Sequence, residues 1–451
     1  MSDTQLDLQV TPLRSEGRDG SRPAARVGHG VDPALVGRIR TEIAEGLATH
    51  RTDQMDHSDR EALAKELIAN ALEAHAQECI ARAQSPLSMQ DEAILAAAVR
   101  AELFGLGRLE PLLADDSITD IHVVGSERVI LDLADGTKDE TDPVVDTDEE
   151  LIDLVRAIGR TESLAERRFD FAHPQLNQQL RDGSRLFAVA WITRRPHLFI
   201  RRHRLLDVAL GDLARLKSLS EGLAGFLAAS VKVRRNILVA GGMGAGKTTL
   251  LRALLAEADP SERIVTIETD YELALDRFPE RHRELIALEA REANVEGAGA
   301  ITCADLVRFA MRMAASRLAV GEVLGSEVIP MLNAMHSGAA GSMCTVHANS
   351  SADALAKLAL LAVQAPEHLE MPHTYALAAR ALDLVVFMAQ DRNGRRVVRS
   401  VREVTGTDGA QVTTNEIWGP APDGSARRTP VSLTESTRLA LDAIGYEEAP
   451  W

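Results

Sequence analysis

The stretch "NILVAGGMGAGKTTLLRALL", residues 236–255, constrains this chain more than any other. An apolar run ends in glycines, and a helical pattern starts at once. Gly241, four further residues, Gly246, Lys247 and Thr248 satisfy the full phosphate-loop pattern, between a strand and a helix as that pattern requires. Glycines let backbone N–H groups converge on phosphates, and the helix N-terminus adds positive potential. The loop formed by Gly241, Gly242, Met243, Gly244, Ala245 and Gly246 is therefore expected to cradle a nucleotide. Lys247 should reach the β- and γ-phosphates, and the Thr248 hydroxyl should hold Mg²⁺, with Thr249 as a helper. Kinases, GTPases, transporters and ring motors share this loop. A guanine-reading NKxD segment and an LSGGQ-like signature are both missing, which argues against GTPases and ABC-type transporters.

The flanking pattern predicts an α/β fold. "NILVA", "RIVTIE", "RLAVGE" and "GSMCTVHA" read as strands. "LSEGLAGFLAASV", "KTTLLRALLAEA", "CADLVRFAMRMA", "EVIPMLNAMHSG" and "SADALAKLALLAV" read as helices. Such alternation predicts a mostly parallel sheet covered on both faces. Pro330 fits the first turn of its helix. "LDLVVFMAQ", an Asn393-Gly394 turn and "RRVVRSVREV" read as a closing hairpin. Upstream, "ITDIHVVG", "RVILDL", "DGSRLFAVAW" and "LFIRRH" are strands around one helix, "LIDLVRAIG", with Thr147 and Glu150 as its capping box. The expected order is a disordered tail over 1–30 and a helical region over 31–108. An α+β domain over 109–204, a P-loop domain over 205–415 and an extension over 416–451 follow, and the extension carries no readable pattern. Ser88, followed by Asp91, is a helix start, and Gly105 and Gly107 mark that helix's end.

Two carboxylates stand where apolar strands run out. Glu322 ends "RLAVGE", with Gly321 before it allowing close approach. Glu268 ends "RIVTIE", the strand after the phosphate-loop helix. A carboxylate at either edge belongs in the nucleotide crevice, where it can orient or deprotonate water or contact Mg²⁺. The pair can divide these duties in either order. Asp270 and Glu272 lie just beyond and are weaker candidates. His347 ends a further strand and can bond phosphate or relay nucleotide state.

Composition narrows the partners. The formal net charge of −17 argues against bulk nucleic-acid binding, and no nucleic-acid partner is expected. Aromatic residues make up only 3% against 45% hydrophobic, so cores of Ala, Leu and Val are predicted. Cys79, Cys303 and Cys344 have neither disulfide nor zinc spacing. The start "MSDTQLDLQV" does not resemble a signal peptide, and no run of about 18 apolar residues occurs. A cytoplasmic protein is expected.

Four stretches taken together resemble a known family. "GGMGAGKTTLLRALL", "ERIVTIETDYEL", "RLAVGEVLG" and "GSMCTVHANS" follow the order of Walker A, acidic box, Walker B and His box in the type II/IV secretion ATPases. "EAREANVEG" (289–297), "DGSRLFAV" and "LFIRRH" extend the similarity, which is greatest to the tight-adherence (Flp) pilus branch, CpaF or TadA. The resemblance implies a RecA-like P-loop domain preceded by a smaller α+β domain. It further implies a homohexameric ring that hydrolyses ATP with Mg²⁺ and drives pilin assembly or secretion. The ring would work through platform proteins, peripherally attached to the inner face of the cytoplasmic membrane. By carry-over, Lys247 and Thr248 hold nucleotide and metal, Glu268 is the acidic-box carboxylate, Glu322 the Walker B glutamate and metal partner, and His347 the later His-box histidine. Rings of this kind use arginines against phosphoryl charge. Arg185, Arg201 and Arg202 lie in family-like stretches, and Arg291 matches the family's "ETR" arginine.

The sequence departs from the family pattern at four places. Thr269, not Asp, follows Glu268; Leu324 stands in the usual "GEVRG"; Ala315, Ser316 and Arg317 replace "PDR". The His box, usually "NTGHDG", lacks its first histidine at Ala339. His336 can replace it only if its helix persists through Ser337 and Gly338. Two other functions stay open: an ATP-binding regulator with slow or no turnover, and a conjugative DNA-handling ring.

Overall fold

The computed structural model describes residues 32–49, 57–104, 106–161, 168–180, 182–202, 207–291, 293, 298–392 and 394–447. The expected tail over 1–30, Gly105, the 204/205 boundary, Asn393 and positions 292 and 294–297 of the "EAREANVEG" stretch lie outside these residues. The chain divides into two compact units, residues 1–115 and 116–451.

The first unit is helical where described. Helix Pro33–Thr49 places Val36, Ile39, Ile43 and Leu47 on one face, the spacing of a buried stripe. Helices His57–Ala81 and Met89–Phe104 complete that core with Ala64, Ile68, Ala71, Leu95 and Val99. Ser88 starts the last of these as expected: its hydroxyl accepts the Asp91 N–H at 3.1 Å.

The second unit carries two sheets. Strands β1 (Ile118–Val124), β2 (Arg128–Leu133), β3 (Lys138–Thr141), β4 (Gln175–Gln179), β5 (Arg185–Val189) and β6 (His197–Arg201) form an antiparallel sheet in the order β3-β2-β1-β6-β5-β4. Ile121, Val123, Leu186, Ala188, Leu198 and Ile200 point to its buried face, the period-2 alternation of a half-buried sheet. Helix Asp148–Thr161 buries Leu151, Val155 and Ile158.

The larger sheet has nine strands: β7 (Ile237–Gly241), β8 (Arg263–Glu268), β9 (Glu284–Glu289), β10 (Arg317–Val320), β11 (Met343–His347), β12 (Leu384–Gln390), β13 (Arg396–Thr407), β14 (Val412–Pro420) and β15 (Ala426–Arg428). Their order is β15-β14-β13-β12-β7-β11-β10-β8-β9. The run from β12 to β9 is parallel, and β13, β14 and β15 extend it antiparallel. Along β7, Leu238 and Ala240 enter one core while Ile237 and Val239 enter another. Both faces are therefore dry, which explains the unbroken apolar strands. The helices expected after β7, β8, β10 and β11 are present, and Pro330 lies in the first turn of Val328–His336.

Three differences from the sequence reading have physical causes. β3 (KDET) and β4 (QLNQQ) are polar edge strands without an apolar signature, and β9 (ELIALE), at the edge of the larger sheet, offers only the short apolar run 285–288. The region after 415 is structured: β14 continues to Pro420, β15 follows, and helix Glu435–Asp442 buries Leu441. Its turns hid a pattern that pairing with β13 stabilises. The helix ends at His336, Gly338 adopts φ +120°, and His336 is exposed. The condition for His336 to replace the missing His-box residue therefore fails. Ala339 occupies that position, almost fully buried.

Candidate active site

β7 delivers the glycine loop at the centre of the parallel sheet, between β11 and β12. Gly241 has no room for a side chain, since a Cβ there would lie 2.6 Å from the Met388 carbonyl oxygen of β12. Gly246 takes φ +95° at the N-cap of helix Lys247–Leu255, a left-handed conformation that suits glycine. These two constraints bend the chain from strand to helix over 241–247. Met243 is exposed and Ala245 buried. Arg396 of β13 donates through Nε to the Gly244 carbonyl at 2.8 Å and steadies the loop.

The neighbouring strand ends supply the polar groups. Lys247 Nζ lies 3.2 Å from the Gly242 carbonyl, 3.1 Å from His347 Nδ1 and 3.7 Å from Glu322 Oε1. His347 Nε2 and Glu322 Oε1 are 2.8 Å apart. Lys247, Glu322 and His347, 100 residues apart at the extremes, thus meet at the ends of β7, β10 and β11. Burial lowers the Lys247 pKa and the nearby carboxylates oppose that. Thr345 fixes the turn before Glu322 by donating to the Gly321 carbonyl at 2.7 Å.

The acidic box separates into two kinds of carboxylate. Glu268 is buried, 3% exposed, and its Oε1 accepts the N–H groups of Glu272 and Leu273 at 2.9 and 2.7 Å. It packs on Gly321, where a Cβ would approach its Cγ to 3.1 Å. Burial pushes its pKa up to about 7 against the pull of the two N–H groups. A carboxyl poised there can exchange a proton near neutrality. Glu272 and Asp270 face outward to Arg185: Nη1 pairs with Glu272 at 2.7 Å and Nη2 with Asp270 at 2.6 Å. Asn177 Nδ2 also donates to Asp270 at 2.8 Å. Thr248 Oγ1 is 3.5 Å from Glu272 Oε2.

The structure gives the other predicted arginines other partners. Arg201 pairs with Asp120 at 2.7 Å, and Arg202 with Asp116 and the Ile118 carbonyl, all beside β1 or β6 of the smaller sheet. Arg291 forms a bridge with Ile301, bonds the Gly299 carbonyl at 2.8 Å and is exposed. Thr249, one position on in the helix, is half-buried. Sequence reasoning missed Arg252, which is 3% exposed and donates to the carbonyls of Leu273 and Glu272. Its signal was an arginine inside the apolar pattern "KTTLLRALL". Arg317, the remnant of the usual "PDR", is fully buried at the far end of β10 from Glu322, pairs with Glu262 at 2.9 Å and is structural. Leu324 is exposed, and its N–H bonds the buried Glu327.

The donor set suits a magnesium nucleotide. It offers a glycine cradle in which a Cβ at Gly241 would meet the backbone of β12, a buried ammonium, a hydroxyl at the helix start and carboxylates at adjacent strand ends. Among the described residues, no group of three or more His, Cys, Asp or Glu side chains holds a metal ion unaided, so phosphate and water oxygens would complete the shell. These features define a P-loop ATPase on a RecA-like α/β fold. The chain belongs to the type II/IV secretion system protein family, whose pattern matches residues 178–415. It is 36% identical over 329 residues to a putative conjugal transfer protein of Mycobacterium tuberculosis, covering 71% of this chain and 90% of that one. The type IV secretion system protein VirB11 of Brucella suis is 30% identical over 329 residues, 67% of this chain and 88% of its own length. PtlH, a type IV secretion system protein of Bordetella pertussis, is 38% identical over 186 residues, 41% of this chain and 53% of PtlH.

Proposed function

We propose that this protein is a Mg²⁺-dependent ATPase that assembles as a homohexameric ring. It powers pilus assembly or protein secretion through inner-membrane platform proteins. The observation that carries this is the meeting of Lys247, Glu322 and His347 beside the glycine loop, within a chain of the secretion ATPase family. Lys247 neutralises phosphate charge; Thr248 and Glu322 would hold Mg²⁺, and Glu322 would orient the attacking water. Glu268 takes or returns a proton, and His347 links Glu322 to Lys247. Bound Mg²⁺ supplies charge neutralisation on the transferring phosphoryl group. Residues 109–204 and 205–415 act as the two moving domains of each protomer. The resemblance of the four motifs, extended through "EAREANVEG", "DGSRLFAV" and "LFIRRH", supports the tight-adherence pilus branch. No helix among the described residues is long and apolar enough to cross a membrane, so attachment through partners at the inner face of the cytoplasmic membrane fits.

Steady-state ATPase rate against protein concentration, with Lys247→Ala and Glu322→Gln alongside, tests this reading. A rate that rises cooperatively with concentration and vanishes in both variants is expected. ATP binding with no turnover above the Lys247→Ala background would favour a regulatory subunit instead, in keeping with Ala339 in the His box. A second reading, a DNA-transfer ring, draws on the relatives named for conjugal transfer. It requires a salt-sensitive mobility shift of single-stranded DNA.

A further inference from the structure

Glu272 has its backbone held from two sides. Its N–H donates to Glu268 Oε1 at 2.9 Å, and its carbonyl accepts from Arg252. Glu268 and Arg252 are both buried, so the Glu272 backbone is held by groups that cannot easily move. The Glu272 side chain divides its two oxygens. Oε1 takes Arg185 Nη1 at 2.7 Å, and Oε2 faces the Thr248 hydroxyl at 3.5 Å, a long contact. Arg185 belongs to β5 of the six-stranded sheet, while Thr248 opens the phosphate-loop helix of the nine-stranded sheet. One carboxylate therefore touches a cation from one sheet and the metal-binding hydroxyl of the other.

The chemistry gives this a consequence. A hydroxyl ligates a cation through an oxygen lone pair, and it does so best when its proton is donated elsewhere. Glu272 is the carboxylate placed to accept that proton. Arg185 also engages Asp270 at 2.6 Å, so its guanidinium spans two acidic-box carboxylates as a fork, which a lysine cannot reproduce.

We infer that Glu272 is the positioning residue that turns the Thr248 hydroxyl toward Mg²⁺, and that Arg185 holds Glu272 in that task from the neighbouring sheet. The position of the smaller sheet is thereby coupled to metal affinity at the nucleotide site. This rests on the reading that Thr248 holds Mg²⁺.

The test is binding of a fluorescent ATP analogue to the full chain, titrated with Mg²⁺ and separately in EDTA. Wild type, Arg185→Ala, Arg185→Lys, Glu272→Gln and the Arg185→Ala/Glu272→Gln double variant are compared. Glu272→Gln and Arg185→Ala should each raise the Mg²⁺ concentration for half-maximal binding about ten-fold, while the affinity in EDTA stays unchanged. Arg185→Lys should fall between wild type and Arg185→Ala. The double variant should be no worse than the worse single one, because both act through one carboxylate. Unchanged Mg²⁺ dependence in Glu272→Gln, equal losses with and without metal, or additive effects in the double variant would each overturn the inference. Glu272→Gln preserves size and shape, so it reports even if Arg185→Ala folds poorly. A wild type whose analogue binding ignores Mg²⁺ would instead sink the underlying reading of Thr248.

Discussion

Glu268 shows how one residue can serve both the fold and the chemistry. Its folded pKa of about 7 lies above the unfolded value of 4.5, so the folded state holds the proton more tightly. Stability from this group is therefore greatest below pH 4.5 and is lost as pH rises toward 7. Glu268→Gln does not titrate, so its stability relative to wild type should grow by roughly 3 kcal/mol between pH 4 and 8, read by urea unfolding. A constant difference across that range would mean that Glu268 titrates in the folded protein as it does in the unfolded chain. Lys247 carries the opposite kind of test. Removing a charged partner of phosphate costs about 1.5–3 kcal/mol, so Lys247→Ala should weaken nucleotide binding about 10- to 100-fold in calorimetry, with the melting temperature of the free protein little changed.

At the scale of elements, β7 and β10 carry function at one end and structure at the other. Gly241 closes β7 against β12, and the obstacle to a side chain is a backbone carbonyl, which cannot swing away. Gly241→Ala should cost at least about 2 kcal/mol of stability and impair nucleotide binding together with it. β10 begins at Arg317, which is 0% exposed, pairs with Glu262 and bonds the Val231 carbonyl. Breaking a buried pair leaves a charge uncompensated, and Arg317→Ala should destabilise by about 3 kcal/mol, softened by the second partner of Glu262, Arg234. Because Arg317 stands at the far end of β10 from Glu322, the folded fraction should bind Mg²⁺-ATP with unchanged affinity. A matched loss of affinity would show that the strand transmits strain to the site.

Across the whole molecule, every partner described for the site belongs to the unit spanning 116–451, and the helical unit before it has its own core. A chain starting at residue 116 should therefore keep its Mg²⁺-ATP affinity, measured by the same analogue titration. A loss would assign the first unit a part in the site. Within the larger unit the site draws on both sheets, since Arg185 and Asn177 of the smaller one reach Asp270 and Glu272 beside the larger. Movement between the sheets must break or re-form these bonds, which gives a motor a defined contact to work against.

The parallel sheet, the glycine loop and the strand-end Glu322, Glu268 and His347 were legible in the chain because each is written in local order. A doubly covered strand must be apolar throughout, and the loop after it must be rich in glycine. The edge strands β4 and β9 and the hairpin extension after 415 were not, because what holds them is pairing with other strands, which residue type alone does not report. The same reason applies at the site. Arg185, Arg201, Arg202 and Arg291 read alike as sequence, yet folding brings Arg185 to the acidic box and gives Arg201 and Arg202 partners in their own sheet. Nor does spacing reveal that Glu268 turns inward to hold the backbone while Glu272, four residues on, turns out toward Thr248. Residue type and strand position set what chemistry is available, whereas the direction in which each carboxylate points depends on groups that only folding brings within hydrogen-bonding distance.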